Sequence, residues 1–132
     1  MEMNSLLLDT NAYTRYIAGE SAVLDAIRSA DIVYMSIFVL GELLCGFKSG
    51  TRERENRLLL RKFLGGPKSR ILEGTEATSE HFGSLKAHLK KSGTPIPLND
   101  VWVAAHALET GSMLVTFDLH FEHVPGLRIW SG

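Results

Sequence analysis

"LLLDTNAY", Leu6 to Tyr13, runs three leucines into an aspartate, and then into Thr10 and Asn11, before a helical pattern begins. A short aliphatic run of this kind reads as a strand buried on both faces. A carboxylate at its end needs a reason. The rest of the chain repeats the alternation. Strands are predicted at 5–8, 31–36, 70–72, 113–117 and 127–130, each short and rich in aliphatic or β-branched residues. Helices are predicted at 11–17, 21–29, 37–48, 52–64, 76–91 and 99–110. Ser36 is placed to cap the third helix, "GGP" at 65–67 stops the fourth, and Gly93 and Gly111 follow the last two. Such alternation implies an α/β fold, a parallel sheet of four or five strands covered by helices on both faces. Ligands of such sheets bind beyond the carboxyl ends of the strands, where strand order reverses. Asp9 stands at that end of the first strand and Asp118 at that end of the fourth.

The 132 residues are expected to form a single domain, 1–132, that buries about two-thirds of its unfolded surface. With 45% apolar and 22% charged residues the composition is that of an ordinary globular protein. Cys45 is the only cysteine, which excludes an internal disulfide and a cysteine-rich zinc site. The apolar runs are too short to span a membrane, and "MEMNS" lacks the basic start of a signal peptide. The expected location is the cytoplasm. A formal charge of −1 gives no strong sign of a nucleic-acid partner. With four carboxylates set aside as a cation site, that −1 becomes +3 on the rest of the molecule.

Four acids stand in apolar company. Asp9 follows three leucines; Glu42 is the only charge in "IFVLGELLCGF", Ile37 to Phe47; Asp100 opens "NDVWVAAHAL"; Asp118 ends "MLVTFD". An ionised carboxylate in such a setting costs several kcal/mol unless it is paired, hydrogen-bonded or bound to metal. No Lys or Arg lies within four positions of Asp9, Glu42 or Asp100. Singly, each has a plainer reading. Asp9 or Thr10 could cap the first helix, Asn99 and Asp100 could cap the last one, and Asp118 could be a turn residue. Glu42 resists such an explanation, since its flanks are apolar. As a set, oxygen ligands without His or Cys at ligand spacing suit Mg²⁺ or Mn²⁺. A divalent cation relieves their mutual repulsion, and it can activate water for attack on a phosphate.

Across nearly its whole length the chain resembles the PIN-domain family, and within it the VapC-type toxin ribonucleases of bacterial and archaeal toxin–antitoxin pairs. "LLLDTNAY" is similar to the family's first motif, "SIFVLGELLCG" to its second, "IPLNDVWVAAHALETG" to its third and "LVTFDLHFEHVPGLRI" to its fourth. The resemblance implies a three-layer α/β/α fold and an Mg²⁺-dependent endoribonuclease, with Mn²⁺ as an alternative ion. By position it implies Asp9, Asp100 and Asp118 as metal ligands and Glu42 as a ligand directly or through water. Thr116 would orient a carboxylate or the attacking water, and Asn11 would support the first carboxylate. It also implies a homodimer and a VapB-type antitoxin seated over Tyr13, Tyr16, Ile17 and Phe47.

Several features have weaker claims. Lys48 to Lys62 holds six Lys or Arg against two Glu. It could touch RNA phosphates, yet it reads better as a solvated amphipathic helix with Leu58, Leu59, Phe63 and Leu64 inward. Lys86, His88, Lys90 and Lys91 read likewise as solvated. His120 and His123 are expected on an exposed loop after the fourth strand, apart from the cation chemistry. Tyr13 and Tyr16 could stack on a base but fit a packing or partner face; Trp102 and Trp130 read as core. Two other functions fit parts of the pattern. One is a non-catalytic PIN-like module that binds RNA or protein; the other is a phosphohydrolase of haloacid dehalogenase type with Asp9 as nucleophile. The latter wants a second acid two residues on, where Asn11 stands.

Overall fold

The computed structural model describes residues 3–131; Met1 and Glu2, the head of the "MEMNS" stretch, and Gly132 lie outside the described residues. Five parallel strands form one sheet in the order β3-β2-β1-β4-β5. They are β1 (Ser5–Leu8), β2 (Ile32–Ser36), β3 (Ser69–Leu72), β4 (Met113–Val115) and β5 (Arg128–Ile129). The helices are α1 (Thr10–Ile17), α2 (Ser21–Ser29), α3 (Ile37–Ser49), α4 (Glu53–Leu64), α5 (Glu76–Ser92) and α6 (Leu98–Thr110), with a short 3-10 helix at Leu119–His123. This is the three-layer α/β/α arrangement with a parallel sheet that the alternation implied. The chain steps outward from β1 to β2 and β3, then crosses back through α5 and α6 to place β4 on the other side of β1. Strand order therefore reverses between β1 and β4, and the ends of these two strands flank the switch point.

β1 is central because every residue in it is buried. Its alternating side chains feed two clusters. Leu7 packs with Val39, Leu85, Leu89, Val103 and Leu114, beneath α3, α5 and α6. Leu6 and Leu8 pack with Ala12, Ala30, Val33 and Val115, on the face covered by α1 and α2. Burying a leucine of this kind contributes about 1.5–3 kcal/mol.

The local signals mostly fall where expected. Ser36 caps α3, its hydroxyl accepting from the Phe38 N–H at 3.1 Å. Gly93 and Gly111 end α5 and α6 in the left-handed region, with φ of 68° and 66°, which glycine adopts without strain. Three expectations change. β4 stops at Val115, so Thr116 and Phe117 leave the sheet. α6 begins at Leu98 after Pro97, so Asp100 lies inside the first turn, and neither it nor Asn99 is the cap. On α4 the inward residue is Leu60, 4% exposed, with Phe63 and Leu64, whereas Leu58 and Leu59 are 57% and 43% exposed. Three consecutive leucines sit about 100° apart around a helix, and the i, i+3, i+4 stripe that continues to Phe63 and Leu64 starts at residue 60. Trp102 and Trp130 are half-buried rather than core; Trp102 is stacked between Phe38 and Phe82, with centroids 5.1 and 3.8 Å away. No helix among the described residues is long and apolar enough to cross a membrane.

Candidate active site

Asp9 leaves β1 at the switch point and is buried. Both carboxylate oxygens are held. Oδ1 accepts from the Ala12 N–H at 2.9 Å, and Oδ2 accepts from the Thr116 hydroxyl at 2.5 Å. Asp9 is thus the cap of α1 as well as a site residue, and Thr10, the alternative cap, is the helix's first residue. The two readings are compatible because the carboxylate offers more acceptor positions than these two bonds use. Thr116 in turn accepts from the Asp118 N–H at 3.0 Å, so one hydroxyl fixes the first acid and the backbone of the fourth.

Asp100 projects from the first turn of α6, and Asp118 from the N-terminus of the 3-10 helix. Between them lies His120, which sequence reasoning left outside the site. Its Nε2 is 2.7 Å from Asp100 Oδ2 and its Nδ1 is 2.7 Å from Asp118 Oδ1. Asp100, Asp118 and His120 each offer a ligand atom within 4.8 Å of the others. The i, i+3 histidine pair near Asp118 was the available signal. Of that pair the structure brings only His120 to the acids; His123, at the end of the same short helix, is exposed.

Glu42 lies at the rim. Its residue surface is open to solvent rather than enclosed by the apolar flanks, yet it faces the same cluster. Partial burial, followed by the Asp100 carboxylate, pushes its carboxyl above the ordinary value, with the Thr10 hydroxyl acting the other way. Burial likewise raises Asp9, opposed by Thr116 and the Ala12 N–H and reinforced by Asp100 and Asp118. Burial raises Asp100 too, and His120 acts against it. Like charges are crowded here, and a divalent cation is the direct relief. The donor set of carboxylates with one imidazole fits such an ion.

Asn11 does not join the cluster: its side chain is exposed and makes no hydrogen bond to Asp9 among the described residues. The support expected of it comes from Ala12 and Thr116. Tyr13 is buried edge-on against Phe63, with centroids 5.4 Å apart, and Tyr16 packs on the same ring at 5.3 Å. Arg15 lies over the Phe117 ring, 3.8 Å from its centroid, beside the fourth acid. The α4 cations are partly matched internally, Arg57 with Glu53 at 2.9 Å and Arg52 with Glu55 at 3.3 Å.

Residues 6–127 match the PIN domain family. The chain is 33% identical over 102 residues to Ribonuclease VapC2 of Haemophilus influenzae, covering 76% of each protein. It is 30% identical over 96 residues to the tRNA(fMet)-specific endonuclease VapC of Salmonella typhimurium, covering 72% of this chain and 71% of that protein. Among solved structures it superposes on VapBC from Salmonella typhimurium bound to DNA with a TM-score of 0.86 and 26% identity, covering 97% and 98% of the two chains. It superposes on VapBC2 of Rickettsia felis bound to a promoter DNA fragment with a TM-score of 0.87 at 24% identity, covering 96% and 97%. The chain belongs to the PIN-domain family, in its VapC-type branch.

Proposed function

We propose that this protein is a divalent-cation-dependent endoribonuclease, a VapC-type toxin that acts in the cytoplasm and is silenced by a VapB-type antitoxin. One observation carries the reading: acids from four separate elements, Asp9, Glu42, Asp100 and Asp118, converge at the sheet's switch point, where burial and mutual repulsion favour a bound cation. Asp9, Asp100 and Asp118 would hold the ion, with Glu42 at the rim, and Thr116 keeps Asp9 oriented. A bound Mg²⁺ or Mn²⁺ supplies charge to a phosphate and acidifies a water. Hydrolysis of the phosphodiester would form one P–O bond from water and break the bond to the 3′-oxygen, leaving a 3′-hydroxyl and a 5′-phosphate. Basic side chains position the strand through its phosphates.

The antitoxin has a surface to occupy. An open apolar groove of about 520 Å³ is lined by Tyr16, Ile17, Leu24, Ile27, Leu59 and Phe63, with Arg28 and Lys62 at its rim. A smaller recess of about 140 Å³ beside it reaches Tyr13, Leu43 and Phe47. The naming of similar structures as VapBC assemblies supports this assignment, and a homodimer is part of the same proposal. The haloacid dehalogenase alternative fits poorly, since both oxygens of Asp9 are already hydrogen-bonded and the position two residues on is an exposed Asn11.

The test is incubation of purified protein with total RNA and Mg²⁺ or Mn²⁺, beside EDTA and the variants Asp9→Asn and Asp100→Asn. Cleavage is expected with either ion alone and is lost with chelator or either variant. RNA cut equally in all arms overturns the metal-nuclease reading; RNA bound but uncut by the wild type favours the non-catalytic module.

A further inference from the structure

Resting on the cation site proposed above, we propose that His120 is a direct nitrogen ligand of that cation, bound through Nε2 beside Asp100 and oriented by Asp118, and that it turns the site towards Mn²⁺ over Mg²⁺. The geometry supplies the argument. His120 Nε2 and Asp100 Oδ2 are 2.7 Å apart. Two donor atoms at right angles in an octahedral shell, each about 2.1 Å from the ion, stand about 3 Å apart. These two atoms therefore need to separate by only a few tenths of an ångström to become neighbouring ligands.

The other ring nitrogen completes the pattern. Nδ1 lies 2.7 Å from Asp118 Oδ1, and a metal-binding histidine characteristically donates its second N–H to a carboxylate, which fixes the tautomer and the plane of the ring. Nε2 is the nitrogen hydrogen-bonded to Asp100 Oδ2; a cation that takes the place of the shared proton leaves the remaining ring proton on Nδ1, beside Asp118, and receives a lone pair from each of the two atoms. The ring is held in place. It packs 4.8 Å from the Phe121 ring, which is buried, and the 3-10 helix that carries both is capped by Asp118.

The consequence is selectivity. Mg²⁺ takes oxygen donors and tolerates imidazole poorly, whereas Mn²⁺ accepts a mixed nitrogen and oxygen shell. A site of carboxylates alone would lack this bias. Removing a supporting group of a metal site typically costs 10–100-fold in affinity; loss of His120 is expected to weaken Mn²⁺ by about tenfold or more and Mg²⁺ by clearly less.

The experiment is pulsed EPR on untagged, Mn²⁺-loaded protein. Wild type is expected to show the nuclear modulation of a directly bound ¹⁴N, which converts to the ¹⁵N pattern when histidine alone is labelled. His120→Gln should abolish it, and His123→Gln, at an exposed position of the same helix, should keep it. Calorimetric titration with each ion then gives the Mn²⁺-to-Mg²⁺ affinity ratio, which falls in His120→Gln and not in His123→Gln. Absence of nitrogen modulation in the wild type, its survival in His120→Gln, or equal weakening of both ions overturns the proposal. The wild-type signal needs no variant to fold. Cleavage of RNA by a site without nitrogen coordination overturns this inference alone; nitrogen-bound Mn²⁺ in a protein that cuts no RNA overturns only the nuclease reading.

Discussion

Asp9 is the residue on which the largest opposing forces meet. Burial favours its neutral form, while the Thr116 hydroxyl and the Ala12 N–H favour the charged one. Burial is the larger effect, so the folded protein holds a proton on Asp9 more tightly than the unfolded chain does. The folded state then gains relative stability below the unfolded value of about 3.9, and loses it as pH rises through the raised folded value. In EDTA, Asp9→Asn should therefore gain on the wild type as pH climbs from about 4 towards neutrality. Denaturant midpoints of the two proteins across that range check the sign. A difference that does not vary with pH would remove the electrostatic account of Asp9. Thr116 gives a second prediction at this scale. Thr116→Val leaves a buried carboxylate oxygen without its donor and should cost about 1–3 kcal/mol, and it should weaken cation binding. Thr116→Ser should restore most of both, as read by chemical denaturation and metal titration.

At the scale of elements, α4 shows how a helix chooses its inward face. Leu60, Phe63 and Leu64 form the stripe that meets α1 and the core, and Leu58 and Leu59 face outward. Leu60→Ala should cost about 2–5 kcal/mol through lost burial and the cavity left behind. Leu58→Ala, at a 57% exposed position, should stay within about 0.5 kcal/mol. Equal losses in urea unfolding would mean that α4 packs with another face inward. His106 on α6 ties a second pair of elements together, its Nδ1 lying 2.9 Å from the Ser36 hydroxyl that caps α3. Burial pushes its imidazole below the usual value, so α6 carries a neutral histidine into the core while its first turn carries Asp100 to the site.

At the scale of the whole molecule, the cluster of acids and the apolar groove occupy separate surfaces of the fold. The acids gather beyond the carboxyl ends of β1 and β4, and the apolar groove lies along α1, α2 and α4. Under the toxin reading, a charge placed in the groove should free the enzyme from its antitoxin without touching catalysis. Ile17→Glu and Leu59→Glu, at positions already 39% and 43% exposed, are expected to fold and to cut RNA at the wild-type rate. Their affinity for the antitoxin should fall by tenfold or more, about 1.4 kcal/mol, in calorimetry. Unchanged affinity in both would move the antitoxin to another surface.

What the sequence determined by itself was local in origin. Aliphatic runs such as Leu6 to Leu8 read as buried strands, Ser36 and the glycines at 93 and 111 marked helix ends, and acids in apolar company stood out as needing a partner, a hydrogen bond or a cation. Tertiary structure decided what depends on distant partners. The Thr116 hydroxyl that holds Asp9 comes from 107 residues away, and the Asp100 carboxylate that meets His120 from 20. No spacing rule links such pairs. The inward leucine of α4 was settled by how that helix packs against α3 and β3, and Glu42 proved a rim residue because α3 leaves one apolar side uncovered. His120 looked like one of two loop histidines until Asp100 and Asp118 were found on either side of its ring. That placement depends on α6, which brings Asp100 from 20 residues away, and on the burial of Phe121 beside the ring, neither of which the order of letters around His120 contains.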